Sequence, residues 1–295
     1  ITISSGEIIS AVVSGNKGND TLDITTSASL ISTTMHGGGG DDVFAFTSAS
    51  GGAFYGDAGA DSFNGTVGST SIYGDISGQS GNDTFVFQTV NSGTKIFGGG
   101  GADSINANGG TAILSSSIYG GEGNDTIGNL GAGIEGATTA TAGMWGENGN
   151  DVIFGGSSTG TATSAILSGG SGDDTIGAST NQLDGASILG GAGSDSFAVG
   201  TSTATTTFYF GFGSGTDTIS SATAGNSASF AVSSTYGASS SWSTSTVNST
   251  DVLVTFGTGN SVQFTGGASA AFLDGGGAGT AIGNYFTTIA QTSID

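Results

Sequence analysis

The chain has 295 residues, of which 59 are glycine and none is proline or cysteine. Its 23 acidic residues are balanced only by Lys17, Lys95 and, when protonated, one histidine, so the formal net charge is −21. The composition excludes a disulfide scaffold, and the charge disfavours nucleic acid as a partner. No apolar run reaches the length of about 18 residues that a membrane span needs. We therefore expect no nucleic-acid partner and no membrane span.

Strand-forming apolar residues begin at the N terminus, and from residue 13 they belong to a repeat. The copy from Ile118 to Ile127 shows its frame: apolar, x, Gly, Gly, x, Gly, x, Asp, small, apolar. In all ten copies a glycine lies two residues before the aspartate. Large apolar residues lie seven residues before the aspartate and two residues after it. The first glycine of the frame is replaced in one copy only, by Phe212. The ten aspartates are Asp20, Asp42, Asp61, Asp83, Asp103, Asp125, Asp151, Asp174, Asp195 and Asp217.

Each copy predicts two short strands joined by a glycine-rich loop. Glycine adopts backbone conformations that are rare for other residues, and it lets another backbone approach closely. Interior positions of parallel strands favour Ile, Phe and Val, and a continuous ladder disfavours proline. The repeat therefore predicts stacked coils whose apolar residues face one interior.

The aspartates are the candidate metal ligands. A carboxylate is a hard oxygen ligand, and a loop of this kind also turns carbonyl oxygens outward, which together suit the 6–8 oxygen ligands of Ca²⁺. Stacked carboxylates repel one another unless a cation lies between them. Ten loops enclose nine gaps, and nine divalent ions carrying +18 would bring the net charge from −21 to −3. We expect about one calcium ion per gap.

The frame resembles the RTX (hemolysin-type) nonapeptide, Gly-Gly-x-Gly-x-Asp-x-apolar-x, a calcium-binding β-helix repeat. The copy that starts at Gly37 matches it fully, as do those that start at Gly98, Gly120, Gly169 and Gly190. The resemblance covers residues 13–220. It implies a protein that is exported by type I secretion, folds on meeting calcium outside the cell, and acts extracellularly or at the cell surface.

The spacing departs from tandem nonapeptides, because successive aspartates are separated by 19 to 26 residues. We therefore expect one loop per coil, with all loops on one edge at the strand spacing of about 4.8 Å. The predicted fold is all-β: a right-handed parallel β-roll or β-helix solenoid over residues 1–220, followed by a β-rich terminal section over residues 221–295.

The terminal section begins after the copy that has lost its first glycine. Within it, residues 251–256 and 261–264 alternate in polarity around Gly257-Thr258-Gly259-Asn260, which predicts a β-hairpin. A further copy of the frame, at residues 275–282, has Thr280 in place of the aspartate, so we assign no ion to it.

Catalysis is not expected. Residues 156–160, with Ser158 at the centre, match the esterase pattern Gly-x-Ser-x-Gly, but no helix pattern follows, as that motif requires. The one histidine, His36, lies five coils away, or about 24 Å at the strand spacing. A catalytic triad needs hydrogen-bond contact.

An aromatic column lies just before the first glycine of several copies and points away from the interior. Its members are Tyr55, Phe97, Tyr119 and Trp145, continued by Leu189. One interpretation is packing against the variable half of each coil. The other is a lateral patch for a neighbouring subunit or a cell-surface glycan.

Two functions remain open. The first is a structural protein, a self-assembling homopolymer that forms a surface layer, sheath or filament once calcium folds the repeats. The second is the calcium-folding module of a larger secreted toxin, hydrolase or adhesin. Repeats that fill most of the chain and the lack of a catalytic constellation favour the first.

Overall fold

In the computed structural model the described residues are 1–2, 6–24, 28–46, 49–65, 71–87, 89–90, 93–107, 116–128, 143–154, 165–177, 186–198, 206–210, 215–220, 228–233, 243–246, 252–255, 260–265 and 286–289. Within these ranges every regular element is a β-strand. The same part of the chain contains no helix long and apolar enough to cross a membrane.

The strands form two sheets, which we call the first and the second sheet. The first has 15 strands and the second has 13. The strands of the first sheet are β1 (Gly6–Ile9), β2 (Val12–Lys17), β4 (Ala28–Ile31), β5 (Thr34–Gly39), β7 (Ala49–Ala58), β9 (Ser71–Ser80), β11 (Thr89–Val90), β12 (Lys95–Gly100), β14 (Ser117–Glu122), β16 (Gly143–Asn148), β18 (Ile166–Ser171), β20 (Ser187–Ala192), β22 (Thr206–Phe210), β24 (Ala228–Ser233) and β28 (Phe286–Ile289).

The second sheet receives the chain after each loop. Its strands are β3 (Thr21–Ile24), β6 (Val43–Phe46), β8 (Ser62–Gly65), β10 (Thr84–Phe87), β13 (Ser104–Ala107), β15 (Thr126–Ile127), β17 (Val152–Ile153), β19 (Thr175–Ile176), β21 (Ser196–Ala198), β23 (Thr216–Ser220), β25 (Ser243–Thr246), β26 (Val252–Thr255) and β27 (Ser261–Phe264).

The chain passes from one sheet to the other once per repeat, so the strands stack as a parallel β-solenoid. We number the coils one to ten by their aspartates, from Asp20 to Asp217. Strand pairing is parallel and in register from coil to coil; β14 pairs with β16, for example, with Ile118 opposite Met144. The predicted all-β solenoid is confirmed, whereas its handedness stays a prediction.

The two apolar columns face each other between the sheets and form the core. Met35, Phe54, Ile76, Ile96, Ile118, Met144, Leu167 and Ile188 line it from the first sheet, and Leu22, Phe44, Phe63, Phe85, Ile105, Ile127, Ile153, Ile176, Phe197 and Ile219 line it from the second. All are at most 2% exposed. Burying such a side chain contributes about 1.5–3 kcal/mol, so the stack of coils supplies the core that no coil has alone.

The last copy is shifted relative to the repeat frame. The frame places Phe210 in the column of Ile188, but the structure pairs Ile188 with Phe208. Phe210 pairs instead with Val232 of β24. A shift of two residues keeps a side chain on the same face of a strand, so Phe208 and Phe210 are both buried.

The predicted hairpin is confirmed in its strands: β26 and β27 are antiparallel, with Val254 opposite Val262. Strand β27 pairs in parallel with β23 of coil ten, and Asp217 lies opposite Val262. Strands β24 and β28 continue the first sheet beyond residue 220. Both sheets thus run across the predicted boundary, and the division at 220 stays a prediction.

Candidate metal centre

The repeat loops lie between the two sheets, and the loops of coils one to nine stack along one edge of the solenoid. Each of these nine loops begins at the end of a strand of the first sheet and places its aspartate just before a strand of the second, whereas Asp217 of coil ten lies within β23. The loops need glycine where they turn: Gly121 and Gly123 have φ values of 114° and 119°. A side chain on Gly123 would also collide with the backbone of Gly101 in the preceding coil. We call the ten stacked aspartates the aspartate row.

Hydrogen bonds join the members of the row, and we call this set the inner ladder. From Asp42 onwards, Oδ1 of every aspartate accepts a hydrogen bond from the backbone N–H of the aspartate one coil before, at 2.7–3.0 Å. Nine such bonds link the ten predicted site residues without a break. The structure therefore brings all ten together in one line.

The second carboxylate oxygens of the row are buried and have no hydrogen-bond donor in the described part of the chain. They are Oδ2 of Asp20, Asp42, Asp61, Asp83, Asp103, Asp125, Asp151, Asp174 and Asp195. Leaving a buried acceptor without a partner costs about 1–3 kcal/mol, and more when the group is charged. The nine oxygens lie in one line, so a single kind of bound group along that line would offset the free-energy cost of burying all of them.

The first glycine of each repeat makes room for that oxygen. A Cβ on Gly120 would collide with Asp125 Oδ2 and would lie 2.8 Å from the carbonyl oxygen of Gly146 in the next coil. The same two kinds of oxygen border Gly37, Gly56 and Gly78. A carboxylate oxygen of one coil and a backbone carbonyl oxygen of the next therefore approach the same point at each of these gaps.

Burial raises the pKa of the aspartates of the row from Asp42 to Asp217, since a charged carboxylate loses its hydration there. The N–H bond of the inner ladder lowers the pKa, and the charges of neighbouring aspartates raise it further where they are close. The net result is a pKa of about 7 for Asp83, Asp125 and Asp174, about 6 for Asp61 and Asp195, and about 8 for Asp217. Burial likewise raises the pKa of Asp42, Asp103 and Asp151.

The donor set fits a hard cation. Carboxylate and carbonyl oxygens are the ligands that Ca²⁺ takes, and a cation beside Oδ2 would compensate the buried charge. Among the described residues no group of three or more His, Cys, Asp or Glu side chains could by itself hold a metal ion. A site in this row would therefore draw on aspartates of successive coils together with backbone carbonyls.

A comparison with protein families supports the same assignment. The RTX calcium-binding nonapeptide repeat matches in four copies, at residues 95–114, 115–128, 144–162 and 159–179. The chain carries RTX repeats. RTX repeats bind calcium and typify secreted proteins. The matched RTX copies contain Asp103, Asp125, Asp151 and Asp174, and the inner ladder extends the same arrangement to the other six aspartates. No curated protein matches the chain.

A second set of hydrogen bonds along the RTX loops was not predicted from the sequence, and we call it the outer ladder. In six of the ten copies the residue before the aspartate is Asn or Asp: Asn19, Asp41, Asn82, Asn124, Asn150 and Asp173. Oδ1 of each accepts a hydrogen bond from the backbone N–H of the corresponding residue one coil later, at 2.7–2.9 Å. The recurrence of Asn and Asp at this position is the pattern that would have revealed it.

The aromatic column does point away from the interior. Phe97 and Tyr119 are stacked with ring centroids 5.1 Å apart, and Tyr119 and Trp145 with centroids 4.8 Å apart. Phe97 is 36% exposed. Further towards the N terminus, Tyr55 stacks on His36, whose Nδ1 lies 3.1 Å from Asp57 Oδ2. The pattern around Ser158 lies outside the described residues.

Proposed function

We propose that the chain is an extracellular, calcium-dependent structural protein, a subunit of a surface layer, sheath or filament. The observation that carries the proposal is the line of nine buried Oδ2 atoms without a donor in the described part of the chain. Bound calcium would supply the positive charge that these oxygens need. The aspartates and the carbonyl oxygens of the first glycines would hold the ions, about one in each gap.

Calcium binding and folding are coupled in this proposal. The line of oxygens exists only when the coils are stacked, so the free energy of binding becomes free energy of folding. Without calcium, nine buried carboxylates oppose the stacking at neutral pH. RTX repeats are typical of secreted proteins, and the millimolar calcium outside cells would then trigger folding of the chain.

Assembly into a homopolymer is supported by the two ends of the solenoid, which differ. In coil one, Ile9 is 58% and Val12 is 75% exposed. At the other end the second sheet finishes in the antiparallel strands β26 and β25. Contact between unlike ends propagates into a fibre or sheet instead of closing into a dimer. We propose that such contacts join copies of this chain, without any catalytic role.

The test is sedimentation of the chain in millimolar calcium and in EGTA. We expect large assemblies in calcium that dissociate into monomers when it is chelated. A monomer that persists at high protein and high calcium concentration would contradict the assembly.

That outcome would favour the second candidate, the calcium-folding module of a larger secreted toxin, hydrolase or adhesin. The exposed apolar residues of coil one favour it equally, because further coils of a longer chain would cover them. The mass of the mature protein separates the two candidates.

A cell-surface glycan is the further partner that we propose for the assembled form. The support is the outward stack of Phe97, Tyr119 and Trp145, since aromatic rings with exposed edges and end faces offer apolar contact to a sugar. Binding of cell-wall polysaccharide to the folded chain, compared with a Tyr119→Ser variant, tests it. Equal binding by both would remove this surface from consideration.

A further inference from the structure

In six of the nine gaps two ladders join the neighbouring loops, and the two ladders run in opposite directions. Between coils six and seven, Asp125 N–H donates to Asp151 Oδ1 at 2.7 Å. One residue earlier, Asn150 N–H donates back to Asn124 Oδ1 at 2.8 Å. The two bonds form a reciprocal pair, because each coil gives one donor and one side-chain acceptor. Such a pair restrains both the separation of the loops and their sliding along the strand direction.

The outer ladder is built into the fold, although its side chains are exposed. A Cβ on Gly149 would lie 3.1 Å from Asn124 Oδ1, and one on Gly172 would lie 2.8 Å from Asn150 Oδ1. The contact at Gly172 is closer than a side chain there would tolerate, and the contact at Gly149 is tighter than most real Cβ contacts. The glycine two residues before each aspartate therefore leaves room for the outer acceptor of the preceding coil, in addition to allowing the turn.

The outer ladder is interrupted at two gaps. Ala60 and Ala102 occupy the acceptor position of coils three and five, and an alanine side chain cannot accept a hydrogen bond. The inner ladder continues across both gaps, through Asp61 N–H to Asp83 Oδ1 and Asp103 N–H to Asp125 Oδ1. The gap between coils five and six is thus joined by one side-chain bond, whereas the gap between coils six and seven has two. Between coils three and four the missing outer bond is replaced, because Gln79 Nε2 donates to Asp57 Oδ1 at 2.8 Å and Ser80 Oγ donates to the Asp57 carbonyl at 3.0 Å.

We propose that the outer ladder is a positioning element that sets calcium retention gap by gap, and that the gap after Ala102 releases calcium first. The inference rests on the proposed calcium row. The physical reason is that an ion held between two loops needs their oxygens at a fixed separation. A loop pair restrained by one bond samples other separations more often than a pair restrained by two.

The measurement must report on single gaps. If the row binds calcium cooperatively, the calcium midpoint of the whole chain averages the effect of one bond over many ions. Trp145 directly precedes Gly146, the first glycine of coil seven. Terbium replaces calcium at oxygen sites and emits when a nearby tryptophan is excited. Terbium release, followed through Trp145 after mixing with EGTA, reports on the gaps on either side of coil seven. A Trp145→Phe chain provides the background from Trp242.

The loss-of-bond variant is Asn150→Ala, and coil eight offers a control that borders the same gap. Thr175 is exposed and directly follows Asp174, and its hydroxyl makes no hydrogen bond within the described part of the chain. We expect Asn150→Ala to accelerate terbium release through Trp145 about two- to tenfold, the effect of one hydrogen bond. Thr175→Ala leaves the rate unchanged, and Asn150→Asp restores it because the acceptor is retained.

Variants at different distances from the tryptophan distinguish a local positioning effect from a general loss of stability. Asn19→Ala removes an equivalent bond between coils one and two, far from Trp145, and leaves the rate at coil seven unchanged. The gain-of-bond variant is Ala102→Asn. In a chain with Tyr119→Trp and Trp145→Tyr the reporter borders the gap between coils five and six, and Ala102→Asn slows release there by the same two- to tenfold factor.

Several outcomes overturn the inference alone: equal rates for Asn150→Ala and Thr175→Ala, a failure of Asn150→Asp to restore the rate, an equal effect of Asn19→Ala, or no slowing by Ala102→Asn. A wild-type chain without calcium-competed terbium emission overturns the calcium row itself. The two failures are therefore distinguishable in one experiment.

Discussion

Coils two to four and coils five to eight have the same loop edge but different interiors. In the former, Phe44, Phe63 and Phe85 stack face to face, with centroids 4.6 and 4.8 Å apart. In the latter, isoleucine fills the same column, and strands β15, β17 and β19 shorten to two residues. The inner ladder is nonetheless 2.7–2.8 Å throughout both regions.

The difference shows which part of the repeat tolerates change. An interior position needs only an apolar side chain that fills the space, so Phe and Ile both serve. The loop edge needs one carboxylate, one N–H and a glycine at defined places in every coil. The matches to the RTX repeat lie between residues 95 and 179, so they fall mainly on the isoleucine coils, although the aspartate row is equally regular in the phenylalanine coils.

Calcium removal is the largest expected perturbation, and it treats both regions alike. At neutral pH, EGTA should abolish most of the β signal in circular dichroism, because the buried carboxylates of every coil lose their compensation. Amide exchange should show both regions unfolding together. Magnesium is the control, since its small octahedral shell suits such a site poorly. Protection that persists in coils two to four would show that their stacked rings suffice without calcium.

Acid should partly replace calcium. Folding raises the carboxyl pKa from 3.8 to about 6–8, so the folded state binds protons more tightly than the unfolded state. The corresponding stability is present below the unfolded pKa and is lost as the pH rises through 6–8. In EGTA, lowering the pH from about 8 to about 5 should therefore restore β signal. With saturating calcium the dependence reverses, because the ions need deprotonated carboxylates. A pH-independent signal in EGTA would contradict this account.

Core truncation should distinguish the two interiors. Phe63→Ala should destabilise the calcium-loaded chain by about 3–5 kcal/mol and Ile153→Ala by about 2–5 kcal/mol, with Phe63 at the upper end because it stacks on two rings. Urea unfolding in excess calcium measures both. Val86→Ala, at an outward position of β10, is the control and should cost far less. Equal costs for Phe63→Ala and Ile153→Ala would mean that the stacked rings add nothing beyond burial.

A single aspartate should matter more inside the row than at its end. Asp125 has an aspartate in the coils on both sides, whereas Asp217 is followed by Val262. Asp125→Asn keeps an acceptor for the Asp103 N–H but removes a charged ligand from two gaps, and Asp217→Asn removes one from a single gap. Calorimetric calcium titration should show the larger loss of affinity and cooperativity for Asp125→Asn. Similar titrations for the two variants would argue against a continuous row.

The smallest expected effect is on the outward face. Tyr119→Ser removes two stacked pairs, with Phe97 and with Trp145, each worth about 0.5–1.5 kcal/mol. The calcium-loaded chain should lose about 1–3 kcal/mol of stability in urea, the sum for the two pairs, while its calcium titration stays unchanged. Ser77→Ala, in the same column one coil before Phe97, is the control. A changed calcium titration would show that this face is coupled to the loop edge.

The amino-acid sequence by itself determined the architecture and the predicted metal residues. The positions of Asp125, Ile118 and Ile127 in the repeat are filled by the same residue types in every copy and at the same distances from one another. Apolar residues at such regular positions can all be buried only in stacked parallel coils. The strands of the hairpin around residues 257–260 followed from alternation alone. These features depend on residues near one another in the chain, where periodicity is visible.

Tertiary structure decided which atoms meet across coils. Nothing in the spacing shows that Oδ1 of one aspartate accepts from the N–H of the previous one and leaves Oδ2 without a donor, or that Asn124 and Asn150 bond in the reverse direction. The pairing of Ile188 with Phe208, where the frame placed Phe210, was also decided there, because a shift by two residues leaves the inward pattern of a strand unchanged. Contacts between residues about 22 positions apart depend on the three-dimensional register of neighbouring coils, which a repeat frame limits but does not fully specify.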